Sequence, residues 1–203
     1  MRILVGIDEV GRGPLAGPVA VGAIAVPLDF DVLRAFPGVA DSKILSEKKR
    51  ERIFEMLVAS GERGGARFSV EFSDATYIDA NGITKAVSSA LARAIRSVAP
   101  NPKDTRVLLD GLLSAPRAYT DQTTIIHGDA TEPIISLASV AAKVVRDRLM
   151  VRLDTKYPEY SFARHKGYGT KAHRAVIAAL GPCPLHRLTF LHGDTKNKVR
   201  HCP

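Results

Sequence analysis

Cysteine is scarce in this chain of 203 residues: Cys183 and Cys202 are the only two, both in the last stretch. A disulfide framework is therefore not expected, and a reducing cytoplasm is the default compartment. Long apolar runs are missing as well. None approaches the ~18 residues that a membrane span needs, so no membrane association is expected. A single Arg2 and a strand-like run follow Met1 without a small-residue cleavage site, which gives no sign of a secretory leader. Internal repeats and low-complexity segments are absent. Acids are short in one region only: from Arg164 onward eight basic residues face one acid, Asp194. That segment carries +7 of the net charge of +8, and residues 1–163 carry +1. A nearly neutral body with a basic end fits a nucleic-acid partner, because lysine and arginine displace counterions from phosphates. A solvated tail that keeps the protein soluble fits equally well. Charge alone leaves both open.

What is present begins with a core. Hydrophobic residues make up 45% of the chain, enough for one domain of ordinary size with a small appendage. The most informative stretch is Ile7-Asp8-Glu9-Val10-Gly11-Arg12-Gly13. Two acids stand where an apolar run (Ile3, Leu4, Val5, Ile7) stops, and strand ends are where α/β proteins place their chemistry. Alternation along a strand would send Asp8 and Glu9 to opposite sides unless the strand ends between them. Glycines flanking Arg12 let bare backbone approach a ligand closely.

Periodicity supplies the rest of the layout. Residues 19–26 read as a second strand packed on both faces. Ser46 is an N-cap for a helix to about Val58, and residues 66–72 alternate as a strand with one wet face. Helical spacing runs from Ile83 to Val98 and stops at Pro100 and Pro102. Short buried strands are expected over 106–110 and 123–127. A long helix from Pro133 to about Lys156 and a last one from Thr170 to Leu180 complete the pattern. The expected class is α/β, with a mixed five-stranded sheet flanked by helices and a small helical C-terminal segment. The expected division is a catalytic domain over 1–157 and a basic helical segment over 158–203.

Three strands lead into acids: Asp8 and Glu9, Asp110 before Gly111, and Asp129 after Thr-Thr-Ile-Ile-His-Gly. Side by side, these four carboxylates would converge at one sheet edge. They could not all stay ionised in a dry place without a cation. Mg²⁺ or Mn²⁺ would accept such oxygen ligands, and a pair of ions could drive an in-line displacement. Singly, Asp110 reads as a common Asp-Gly turn and Asp129 as a favourable charge at a helix start. Asp8-Glu9 has no folding rationale.

With these pieces in place the chain resembles type 2 ribonuclease H (ribonuclease HII). The resemblance rests on Asp-Glu-Val-Gly-Arg-Gly-Pro-Leu-Ala-Gly-Pro-Val from Asp8, on Asp41-Ser42-Lys43, and on Asp110-Gly111. It continues through Gly128-Asp129 to Ala138-Ser139-Val140-Ala141-Ala142-Lys143-Val144-Val145-Arg146-Asp147. His165-Lys166-Gly167-Tyr168-Gly169-Thr170, His173, Gly181-Pro182 and His186-Arg187 follow in the family's order, so it spans about 8 to 190. It implies a ribonuclease H-like fold and metal-dependent hydrolysis of RNA paired to DNA. It also implies incision 5′ to a single ribonucleotide in duplex DNA, leaving 3′-hydroxyl and 5′-phosphate ends. By motif match Asp8, Glu9, Asp110 and Asp129 take the catalytic, metal-binding places, with two Mg²⁺ or Mn²⁺ ions during catalysis. Gly11, Arg12 and Gly13 match the loop that senses the ribose 2′-hydroxyl, the group that separates RNA from DNA. Tyr168 matches the tyrosine that packs on the neighbouring sugar.

Asp41, Ser42, Lys43, Lys143 and Lys166 complete the expected substrate contacts, with the lysines on phosphates. Arg146 and Asp147 read equally as a structural pair. The chain departs from the family at Ile135-Ser136-Leu137-Ala138-Ser139, where more alanines are usual; the change reads as tolerated packing. The expected partners are RNA–DNA hybrids and ribonucleotide-containing duplexes, met by a monomer, and no sliding-clamp motif is visible. Cys183, His186, His192, His201 and Cys202 offer soft ligands, but beyond Cys183-x2-His186 their gaps fit no standard zinc pattern.

Overall fold

In a computed structural model, residues 2–40 and 42–191 are described. Five strands form one mixed sheet in the order β3-β2-β1-β4-β5. They are β1 (Ile3–Val10), β2 (Val19–Pro27), β3 (Arg67–Ser73), β4 (Thr105–Asp110) and β5 (Asp121–Ile125). β1 pairs antiparallel with β2 and parallel with β4, and β4 pairs parallel with β5. The helices are α1 (Val32–Ala35), α2 (Glu47–Glu62), α3 (Ala75–Asn81), α4 (Ile83–Val98), α5 (Gly128–Thr131), α6 (Pro133–Asp154), α7 (Phe162–His165) and α8 (Lys171–Leu180).

Local chemistry sets most boundaries. Ser46 caps α2 by accepting from the Lys49 N–H, and Thr170 caps α8 by accepting from the His173 N–H. α2 runs four residues past the expected end at Val58, to Glu62. β2 is buried along nearly its whole length, as an all-apolar run in a covered sheet should be. β5, expected as buried, is instead mostly exposed, because it is one of the sheet's two edge strands. The apolar stripe of α4 (Ala86, Val87, Ala90, Leu91, Ala94, Ile95, Val98) is entirely buried. Burying a leucine or isoleucine there contributes about 1.5–3 kcal/mol each, which fixes the helix far more firmly than its propensity.

The first half of α6 is buried nearly all round. Its seat on the sheet needs a missing side chain: Gly22 pairs with Asp8 across β2 and β1, and a Cβ there would lie 2.4 Å from the Ala138 carbonyl oxygen. The helix backbone can therefore come close to the strand at the level of Asp8.

The chain forms two compact units. One comprises the N-terminal part to Val10, Ala20–Glu71 and Val87–Val144. The other comprises Gly11–Val19, Phe72–Ala86 and the described residues from Val145. The second unit has its own core, in which Ala16, Met150, Tyr160, Phe162 and Cys183 are buried together. Among the described residues no helix is long and apolar enough to cross a membrane.

Candidate active site

The predicted site residues fall into two groups, one in each unit, and Asp41 lies outside the described residues. The first group gathers around β1, which runs on through Asp8 and Glu9 to Val10. The two acids therefore leave the strand on opposite faces. Asp8 is 4% exposed. Its Oδ1 accepts from the Glu9 backbone N–H at 2.7 Å, and Ser139 of α6 adds a side-chain hydrogen bond. Burial first, and then the charges of Glu9 and Asp110, push the Asp8 carboxyl up to about 8 against those hydrogen bonds. At neutral pH it holds its proton unless a cation replaces it.

Asp110 ends β4, where it pairs with Ile125, and its Oδ1 accepts from the Asp129 N–H at 3.2 Å. Asp129 does not end a strand as expected. The β4–β5 ladder finishes at Ile125, His127 reverses the chain in the left-handed region (φ 57°), and Asp129 opens α5. Its side chain is 5% exposed, and Lys43 Nζ donates to its Oδ2 at 2.6 Å. Ser42, expected to face substrate, is buried, with its hydroxyl 2.8 Å from that of Ser139. Ser42 thus braces the residue that braces Asp8. Lys143 follows Ser139 by one turn of α6 and is half-buried.

Ser136 and Ser139 both have work that packing alone does not explain. Ser136 Oγ donates to the Asp129 carbonyl at 2.8 Å, while Ser139 holds Asp8. The available signal was two hydroxyls three residues apart, and so on one helix face, within an apolar run.

The donors of this group are all oxygens, which suits a hard divalent ion. Among the described residues no three His, Cys, Asp or Glu side chains form a ligand cluster. A proton on Asp8 and the Lys43 ammonium on Asp129 offset the acidic charge instead. A divalent cation can replace both, so the donor set fits Mg²⁺ or Mn²⁺ in kind.

The second group is built on the Gly11-Arg12-Gly13 loop. Gly11 has φ 90°, and a Cβ there would lie 2.2 Å from Arg146 Nε, so only glycine fits. At Gly13 a Cβ would meet nothing within 4 Å, so the backbone there has a clear face. Tyr168 is 42% exposed, with the Arg146 guanidinium 6.0 Å from its ring centroid. Lys166 donates its ammonium to the Ala163 carbonyl, and its own carbonyl accepts from Arg146 at 3.1 Å.

Two fully buried arginines, Arg146 and Arg187, stand behind this loop. Burial lowers the pKa of both, that of Arg187 to about 9 with the charge of Arg146 as second cause, so both stay cationic at neutral pH. Spacing and composition single out neither, because their acceptors are backbone carbonyls, which carry no side-chain signature.

Three histidines complete this unit, with tautomers fixed by their partners. His173 Nδ1 lies 2.9 Å from the Tyr168 carbonyl and must donate to it, leaving Nε2 as acceptor. His186 Nδ1 accepts from the Cys183 N–H at 3.0 Å, leaving its Nε2–H to donate across 3.0 Å to His173 Nε2. Burial is the main reason both imidazoles are lowered to about 4 and stay neutral. His165 stacks on His173 at 4.1 Å between centroids. The Cys183-x2-His186 spacing is thus a local hydrogen-bonded turn, while His192, His201 and Cys202 lie outside the described residues.

Against protein families, residues 5–192 match the model of ribonuclease HII. The chain belongs to the ribonuclease HII family. A curated ribonuclease HII of Syntrophotalea carbinolica is 46% identical over 189 residues, covering 93% of this chain and 85% of the relative. Among solved structures, the ribonuclease H2 of Pyrococcus horikoshii is similar with a TM-score of 0.70 at 25% identity, covering 97% and 96% of the two chains. A ribonuclease HII of Archaeoglobus fulgidus, solved in complex with PCNA, gives a TM-score of 0.68 at 27% identity, covering 87% of each chain. The mixed sheet and its helices are therefore a ribonuclease H-like fold. As a ribonuclease HII, the protein is a ribonuclease H endonuclease, a hydrolase acting on RNA–DNA hybrids.

Proposed function

We propose that this ribonuclease HII hydrolyses the RNA strand of RNA–DNA hybrids and also incises 5′ to single ribonucleotides in duplex DNA, leaving 3′-hydroxyl and 5′-phosphate ends. The observation that carries the catalytic half is the burial of Asp8 beside Glu9 and Asp110, which leaves its carboxyl unable to ionise unaided at neutral pH. Asp8, Glu9, Asp110 and Asp129 would hold two Mg²⁺ or Mn²⁺ ions. When bound, such ions supply an activated water and neutralise charge on the leaving 3′-oxygen. Ser139, braced by Ser42, orients Asp8, and Asp110 fixes the backbone of Asp129. Lys43 competes for Asp129 and would turn to a substrate phosphate when a metal takes that carboxylate.

Recognition rests on Gly11, Arg12 and Gly13, whose backbone would read the 2′-hydroxyl at every base and so confer little sequence preference. Tyr168 would pack on the adjoining sugar, and Asp41, Lys143 and Lys166 would assist at the backbone. The enzyme works as a cytoplasmic monomer, with 1–157 as its catalytic part and 158–203 as its basic segment. No sliding-clamp partner is needed for this activity.

The test is incision of duplex DNA carrying one ribonucleotide, beside a uniform hybrid, in Mg²⁺, Mn²⁺ or chelator, with the product ends mapped. A single cut on the 5′ side of the ribonucleotide, lost in chelator, is expected. Cutting of the uniform hybrid alone would refute single-ribonucleotide incision, and cutting in chelator would refute the metal assignment.

A further inference from the structure

Arg187 donates to three carbonyls of the segment from Gly11 to Pro18: Nη2 to Gly11 at 2.7 Å, Nη1 to Arg12 at 2.8 Å and Nε to Gly17 at 2.9 Å. Its backbone N–H takes a fourth, that of Leu15, at 2.8 Å. Arg146 adds Pro18 at 2.9 Å and Ala16 at 3.5 Å. Two arginines without exposed surface thus spend most of their donors on one short segment, with Arg146 Nη1 going instead to the Lys166 carbonyl. This is an expensive way to shape a loop. Taking a cation out of water is costly, and a neutral hydrogen-bond donor could hold carbonyls without that cost.

We propose that Arg187, supported by Arg146, is a positioning residue for ribonucleotide recognition, holding the Gly11-Arg12-Gly13 backbone in its reading conformation. The inference rests on the reading above that this loop senses the 2′-hydroxyl. The peptide unit is planar and trans, so its C=O and N–H point in opposite directions. With the Gly11 and Arg12 carbonyls drawn onto one guanidinium fork, the N–H groups of Arg12 and Gly13 are aimed away from it. The clear space at Gly13 lies beside one of these N–H groups. A cation on the carbonyl side also polarises each peptide and strengthens its N–H as a donor. Arginine suits the role better than lysine, because its planar fork meets two adjacent carbonyls at once. Gly11 meets the same need from the loop side, since any side chain there would displace Arg146.

The experiment compares kcat/KM on a single-ribonucleotide duplex with that on a uniform hybrid, in Mg²⁺, for the full chain, Arg187→Met, Arg187→Lys and Arg146→Lys. Thermal unfolding is followed on the same samples. Arg187→Met is expected to lose about 10–100-fold on the single ribonucleotide, the scale of charge-assisted hydrogen bonds, and several-fold less on the hybrid, which offers many registers. Arg187→Lys should recover part of the ratio, and Arg146→Lys should shift it less. A merely structural arginine would lower stability and scale both substrates together. Folded Arg187→Met with the wild-type ratio would overturn the proposal. If that variant does not fold, Arg187→Lys decides on the same ratio: a lowered ratio supports the proposal and a wild-type ratio overturns it. A wild-type enzyme that ignores the single ribonucleotide would instead overturn the loop reading, and this inference with it.

Discussion

The two compact units bury charge in opposite ways. In the first, acids gather with little to offset them: Asp8 holds a proton, and the ammonium of a largely exposed Lys43 pairs with Asp129. In the second, the buried charges are cationic and fully engaged, with Arg146 and Arg187 donating to backbone carbonyls and two neutral histidines linked nitrogen to nitrogen. The first arrangement is poised for an added cation. The second is complete as folded. Function in the one should therefore depend on a bound metal and cost little stability to remove, whereas removing the buried cations of the other should cost stability directly.

The sharpest way to break this contrast is to neutralise the acids. Asp8→Asn or Asp129→Asn should lower kcat by about a thousand-fold or more, the scale set by losing preorganised charge stabilisation. Asp8→Asn should unfold no earlier than wild type in metal-free buffer at pH 8, since it removes a buried carboxyl that resists ionisation. Steady-state kinetics with a parallel thermal melt measures both. Arg187→Met should do the reverse to stability. Leaving its carbonyls unsatisfied should cost about 3 kcal/mol in denaturant unfolding.

The histidine pair gives the second unit a pH signature. Both imidazoles are lowered from 6.5 to about 4 in the fold, so below about pH 6.5 the unfolded chain takes up more protons than the folded one. Stability should be lost as the pH falls from about 6.5 towards 4, by up to about 3 kcal/mol for each imidazole. His173→Gln should be less stable at pH 7.5 and should show a flatter acid limb in melts across that range. The smallest effect is expected at Lys43: with its side chain 76% exposed, Lys43→Ala should change unfolding free energy by less than about 1 kcal/mol.

How much of this was legible follows from what sequence encodes. The apolar stripe of α4, the Ser46 and Thr170 caps and the buried run of β2 were readable, because each is a pattern in side-chain type. α1 and α3 are too short to show a periodic apolar stripe, although Asp31 and Asp74 cap them by accepting from the N–H groups of Arg34 and Tyr77. The acids Asp8, Glu9 and Asp110 could be placed on strands from their flanking residues. Asp129 could not, since its position depends on His127 entering the left-handed region after the β4–β5 ladder ends. The arginines behind the loop were hidden for a different reason. Their partners are backbone carbonyls, most of them more than a hundred residues away in sequence, and a carbonyl looks alike in every residue.

The acids of the first unit are set to receive a divalent cation. Calorimetric titration of Mn²⁺ into metal-free wild type and Asp129→Asn, with a thermal melt of each, tests it most directly. Saturable binding to wild type with a raised melting temperature, and much weaker binding with no such rise in the variant, is the expected result. Equal affinity and equal stabilisation in the two proteins would contradict it.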